Sequence, residues 1–172
     1  MHWVGTAKLV GLAKMATWRE REREAEYAKW LHGLEPWTHA VTFTFLRRIR
    51  HFQATDRATC EAAIRHFLRI LDFKCLGGKK AKKGYFVASA VTIHWGTYGD
   101  HPHAHLSLVA PAGIPDQKFL SYIEYAKAKT ALLNEKAVIR AYRDVGWSIY
   151  LVEHGIDCLA ISLLRSERAK PT

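Results

Sequence analysis

Residues 90 to 109 constrain the fold more than any other stretch: Ala-Val-Thr-Ile-His-Trp-Gly-Thr-Tyr-Gly-Asp-His-Pro-His-Ala-His-Leu-Ser-Leu-Val. Two runs with strand-like alternation flank a turn rich in Gly and Asp, which is the pattern of a β-hairpin. Side chains alternate faces along a strand, so His103, His105 and Ser107 project one way while Ala104, Leu106 and Leu108 project the other. Two imidazoles two residues apart on one face stand near enough for a single cation to take both. If the first run pairs with the second, His94 lies at the turn-proximal end of its strand and reaches the same point. Three histidines then converge on one face of a sheet.

The rest of the chain must build a domain around that hairpin. At 172 residues, of which 49% are apolar, it buries one full core, and a single domain is expected. No apolar run approaches the ~18 residues that a bilayer-crossing helix needs. The start of the chain passes quickly into Arg-Glu-Arg-Glu-Arg-Glu and lacks the apolar region and cleavage site of a secretory signal. Cys60, Cys75 and Cys158 are odd in number and show no CxxC spacing, which predicts a reduced, intracellular protein without a zinc knuckle.

Charge narrows the partner. A net charge of +10 and a pI near 9.7 predict a polyanionic ligand, and nucleic acid leads membrane because no cationic amphipathic helix stands out. Lys79, Lys80, Lys82 and Lys83 form the densest basic cluster and read as a loop suited to phosphate contacts.

Residues 6 to 32 have helical spacing with many charges, and Gly33 and Pro36 end the run. This helix is expected to pack on the periphery. Thr38 to Phe45 reads as a strand with Val41, Phe43 and Phe45 on one face and Thr42 and Thr44 on the other, followed by a basic run that includes Arg47. A helix is predicted over 56–73, capped by Thr55 or Asp56. The hairpin strands follow at 85–95 and 103–109, then a helix over 116–133 and a short strand over 137–142. A helix beginning at Val145 places Trp147, Tyr150 and His154 one turn apart in succession. A further helix is expected over 156–164, with a loose tail from Arg165.

The order β-α-β-β-α-β predicts an α+β fold: a ferredoxin- or RRM-like split antiparallel sheet with helices on one face. A long N-terminal helix and a C-terminal tyrosine-bearing helix add to it. Residues 1–36 are read as a helical extension, 37–165 as the functional domain and 166–172 as a flexible tail.

The motif Pro102-His103-Ala104-His105-Leu106 resembles the His-hydrophobe-His signature of the HUH endonucleases, a superfamily that includes rolling-circle replication initiators of plasmids and phages, relaxases and some transposases. The strand Ala40 to Phe45 is similar to the first initiator motif, and Trp147-Ser-Ile-Tyr150 sits where those initiators place a nucleophilic tyrosine. All three come in the family's order and span most of residues 38 to 155. The resemblance implies a DNA-nicking endonuclease and strand transferase. It would act on single-stranded or hairpin DNA at a replication origin, through a 5′-phosphotyrosine, with Mn²⁺ or Mg²⁺ as cofactor and a helicase acting in trans. Tyr150 would be the nucleophile, and His103, His105 and His94 the metal ligands, with Asp100 the alternative to His94. Thr42, Thr44, Arg47 and the four clustered lysines would bind DNA. The family's lysine just beyond the tyrosine is replaced here by Glu153 and His154, so His154 is expected to take a catalytic role and Lys127 and Lys129 to add positive charge.

Tyr125 competes with Tyr150, since Tyr125-Ala-Lys-Ala-Lys129 has a Tyr-x-x-x-Lys spacing. An HUH transposase is the nearest alternative function. A catalytically weak RRM-like module that binds single strands is the alternative from another class.

Overall fold

In a computed structural model, residues 18–46, 48–49, 53–95, 102–153 and 155–166 are described. The elements are α1 (Trp18–Leu34), β1 (His39–Phe45), β2 (Arg48–Ile49), β3 (Gln53–Ala54), α2 (Arg57–Leu76), α3 (Gly78–Lys82), β4 (Ser89–His94), β5 (His103–Leu108), α4 (Asp116–Ala128), β6 (Leu133–Ala141) and α5 (Val145–Val152). Two 3-10 turns, Ile156–Cys158 and Ile161–Leu163, follow. The main sheet has the order β4-β5-β1-β6 with every pair antiparallel, which is the split β-α-β-β-α-β arrangement expected from the sequence. β2 and β3 form a separate small ribbon beyond β1.

Alternation along the strands builds the larger core. Val41, Phe43 and Phe45 of β1, Val91 and Ile93 of β4, and Ala104, Leu106 and Leu108 of β5 share one face. Against it pack Ile64, Phe67, Leu68 and Leu71 of α2 and Phe119, Ile123 and Ala126 of α4. Phe43 and Phe67 meet edge to face, ring centres 4.8 Å apart, across the middle of this layer. α2 starts where Asp56 Oδ1 accepts the Thr59 amide at 2.8 Å, an N-cap that holds the Asp56 carboxyl below its usual pKa. It ends at Gly77, whose φ of 78° favours glycine.

The opposite face is not bare. A second cluster joins Ala28, Leu31 and Leu34 of α1, Leu151 and Val152 of α5, and Ala90 of β4. α1 and α5 therefore cover the β4–β5 half of this face and leave the β1–β6 half open. Trp37, whose indole donates to the Leu31 carbonyl at 2.6 Å, seals the turn between α1 and β1.

Several boundaries differ from the sequence reading. The lysine cluster is not a loop: Lys79, Lys80 and Lys82 lie in α3 and Lys83 at its C-cap. β6 is nine residues long and begins at Leu133, where the sequence suggested a short strand. Its Asn-Glu-Lys start is exposed, so it shows no apolar alternation to read. The segment after α5 forms two 3-10 turns that bridge back to β4 at Thr92–Leu159 and Ser89–Arg165. Arg165 is consequently not loose. Its guanidinium donates to Asp72 Oδ2, while Asp72 Oδ1 accepts the Val87 amide at 2.8 Å. Ser166 donates to Glu35 Oε1 at 2.5 Å. The residues 6–17 expected to open the first helix lie outside the described residues, as do 167–172.

Burial raises the Asp72 carboxyl above its usual pKa, against the opposing pull of the Val87 amide and Arg165. Arg165→Met removes the guanidinium that pairs with this buried carboxylate and is expected to destabilise the fold by about 3 kcal/mol at pH 7. Because protonation neutralises the stranded carboxyl, the gap between wild type and variant should narrow as pH falls toward the acid range. Paired urea melts at neutral and acid pH measure both quantities.

Candidate active site

The register of three strands assembles the site. β5 is central, and Thr42 and Thr92 both pair with His105, while Thr44 and His94 both pair with His103. All six side chains project from the face opposite the larger core, because each is an even number of residues from its same-face neighbours. The imidazoles of His94 and His103 lie 5.5 Å apart centre to centre, His94 and His105 5.1 Å, and His103 and His105 4.9 Å. The three histidines proposed from the hairpin are thus gathered at one point. His94 and His105 are buried, and His103 is half-buried at the rim.

Hydrogen bonds orient two of the rings. Thr42 Oγ1 stands 2.8 Å from His105 Nδ1, and Thr92 Oγ1 stands 2.9 Å from His94 Nε2. An ion ~2.1 Å from an imidazole nitrogen lies roughly 3.2 Å from the ring centre, so two imidazoles on one ion are spaced about 4.5–5.5 Å apart. The three ring spacings fit that range. Among the described residues, however, no group of three His, Cys, Asp or Glu side chains is placed so as to hold a metal ion. His94 Nε2 is turned toward Thr92 on its own strand. Asp100 lies outside the described residues.

α5 brings an aromatic wall to the histidines. Asp144 caps it, accepting the Gly146 amide at 2.8 Å. Three-residue spacing then places Trp147 and Tyr150 on the side that faces the sheet. The Tyr150 ring meets His105 edge to face at 4.7 Å, and Trp147 meets His105 at 5.6 Å. Tyr150 keeps 41% of its surface exposed, so its ring is anchored at the histidines while part of it stays in solvent. An open cleft of about 950 Å³ lies in front of it, with Thr42 and His105 as floor and Trp147 and Tyr150 as wall. Arg140 and Arg143 line the far side, on β6 and just after it.

Those two arginines were missed in the sequence because β6 was read only for strand propensity. Once Ala40 pairs with Arg140 and Thr42 with Val138, both Arg140 and Val138 fall on the histidine face. Thr44 is exposed on the same face beside His103. Arg47 and His154 lie outside the described residues.

Other candidate residues lie elsewhere. Lys127 and Lys129 are at the end of α4, on the other side of the sheet. Lys127 binds Glu124 at 2.6 Å and the Glu135 carbonyl at 2.7 Å. Tyr125 also sits on α4, under the ammonium of Lys74 at 3.8 Å, and is separated from the histidines by the sheet. The α3 lysines precede the start of β4, whereas His94 is at its end. All three cysteines are free thiols, and burial pushes Cys60 and Cys75 up to about 12.

A polar tie sets the position of α5. The Tyr142 hydroxyl lies 2.8 Å from the buried Ser148 Oγ and 2.9 Å from His32 Nδ1 of α1. The Tyr142 ring stacks on His32, and burial raises its phenol above the usual tyrosine pKa. This tyrosine is committed to structure.

No family model matches the chain, and no curated protein or solved structure matches it. Among the described residues no helix is long and apolar enough to cross a membrane.

Tyr142→Phe strands the buried Ser148 hydroxyl and frees His32. A loss of about 1 kcal/mol in thermal or urea unfolding is expected, with the Trp147 fluorescence of folded protein altered by the looser α5.

Proposed function

We propose that the protein is a metal-dependent endonuclease and strand transferase that nicks single-stranded DNA, of the rolling-circle initiator type. The observation that carries this reading is the contact between Tyr150 and His105: a half-exposed phenol held against a cluster of three imidazoles at the back of an arginine-lined cleft. A tyrosine committed to structure would tie its hydroxyl to a partner, as Tyr142 does with Ser148 and His32. A phosphodiester drawn into the cleft by Arg140 and Arg143 meets the phenol and the histidines together.

The chemistry is a transesterification. The Tyr150 oxygen attacks phosphorus, forming a phosphotyrosine linkage to the 5′ side of the break, and the bond to the 3′ oxygen breaks. The proton lost by the phenol is balanced by the one gained at the released 3′-OH. Phenol has a pKa near ~10, so phenolate is also an acceptable leaving group. The step is therefore reversible by an incoming 3′-OH, and strand transfer needs no external energy source. His94, His103 and His105 would hold a divalent ion, whose role is to offset charge on the non-bridging phosphate oxygens. Imidazole donors favour Mn²⁺ over Mg²⁺. Thr42, at His105 Nδ1, would orient that ring for a metal held through its other nitrogen. Arg140 and Arg143 bind and orient the strand.

The turned His94 ring, together with Glu153 and His154 at the positions three and four residues beyond the tyrosine where initiators carry lysine, favours a second reading. In it the cleft binds single strands without cutting them.

One gel separates the two. Protein incubated with Mn²⁺ and a random single-stranded library should give a heat-stable, slower protein band that is lost in Tyr150→Phe and reduced at least a hundredfold in His103→Ala. Retention of oligonucleotide without any covalent band in wild type selects the binding module. Thr42→Val should weaken Mn²⁺ binding by roughly 10- to 100-fold in calorimetry, with little change in the melting temperature.

A further inference from the structure

Across the sheet from the cleft, α2 and α4 leave a groove of about 280 Å³ lined by His66, Arg69, Ile70, Phe73, Lys74 and Tyr125. Four-residue spacing puts Arg65 and Arg69 on the outer side of α2, and His66, Phe73 and Lys74 border them. All five are exposed. The Lys74 ammonium lies 3.8 Å from the centre of the Tyr125 ring and the Lys129 ammonium 5.9 Å from it, so one aromatic gathers two cations at the mouth of the groove. Beyond Gly77, Lys79, Lys80, Lys82 and Lys83 continue the positive surface along α3.

The acids near it are paired. Between residues 62 and 83 the single acid is Asp72, which points inward to Arg165 and the Val87 amide. Glu124, next to Tyr125, is bound by Lys127. A basic surface whose neighbouring carboxylates, Glu61, Asp72 and Glu124, are already held by Arg57, Arg165 and Lys127 keeps a net positive charge, and neither the core nor the Tyr150 cleft has any use for it. Its exposed aromatics, Phe73 and Tyr125, stand among the cations. Cations that track a backbone, interleaved with rings on which bases stack, are what an unpaired nucleic-acid strand requires. A membrane surface would instead ask for a continuous apolar face to insert, and α2 presents Phe73 alone among charges.

We propose that the α2–α4 groove and the α3 lysines form a second nucleic-acid surface, which holds the phosphodiester backbone of a single strand on the opposite side of the sheet from Tyr150. The surface does not depend on cleavage. In a protein that nicks, it would hold a second segment of the same strand while the cleft holds the segment to be cut.

Binding of the full-length protein to a fluorescent oligothymidylate, followed by anisotropy across a salt series without metal, tests the proposal. Arg69→Glu with Lys74→Glu should weaken binding at least tenfold, and should flatten the log–log salt slope by about 1.4, two contacts at roughly 0.7 each. Phe73→Ala should weaken binding roughly fivefold or more and leave the slope unchanged. A charge-matched control on α1, Arg19→Glu with Arg23→Glu, should do neither, and unchanged melting curves establish that each variant folds. Equal losses in the α1 control, or wild-type affinity and slope in the groove variant, would overturn the proposal. So would loss of binding to phosphatidylserine vesicles with oligonucleotide binding intact. The covalent gel band reports Tyr150 alone, so a protein that fails to nick yet loses oligonucleotide binding in the groove variant retains this surface and loses only the nicking function.

Discussion

The pairing of β1 with β5 is the constraint on which everything else rests. Thr42 opposite His105 and Thr44 opposite His103 place polar side chains on one face, and the same register puts Val41, Phe43, Ala104 and Leu106 on the other. A shift of one residue would drive the imidazoles into the layer beneath α2 and α4 and expose the phenylalanines. The hydrophobic effect therefore fixes the site indirectly. Burial of the apolar set leaves the histidines a single side on which to stand, and β4, paired to the same strand, adds His94 to them.

Much of this was legible before any coordinates. Strict alternation in β1 and β5 gives both the strand and its faces, because period two is the most direct signal a sequence carries. The cap at Asp56 and the apolar stripe of α2 were equally readable. What escaped reading depends on partners distant in sequence. β6 hides behind charged residues because it is an edge strand with one face open, so Arg140 became visible only through its pairing to β1, and Arg143, just beyond the strand, only through the cleft it lines. The tie between Asp72 and Arg165 joins a helix to the chain's end, and neither residue carries a local sign of the other. The lysine cluster looked like a loop because repeated charges suggest solvent, yet Lys and Ala are both good helix formers.

The histidine side of the sheet is also more enclosed than alternation alone suggests. α1 and α5 roof its β4–β5 half, and the rings of Trp147 and Tyr150 close against His105. Burial of imidazoles beneath aromatic walls excludes water from one side of the cluster and leaves the other to the cleft. Polar groups in such a place interact more strongly with an anionic ligand than they would at an open surface.

α5 is only eight residues long, too short to hold its shape in isolation. Its main support is α1, from the far end of the described chain, through Leu31 and Leu34 against Leu151 and Val152 and through the His32–Tyr142–Ser148 tie. The outer side of α1 meanwhile offers Trp18, Tyr27 and Trp30 to solvent. The position of the Tyr150 ring thus depends on a helix from a distant part of the chain whose opposite face is turned to solvent.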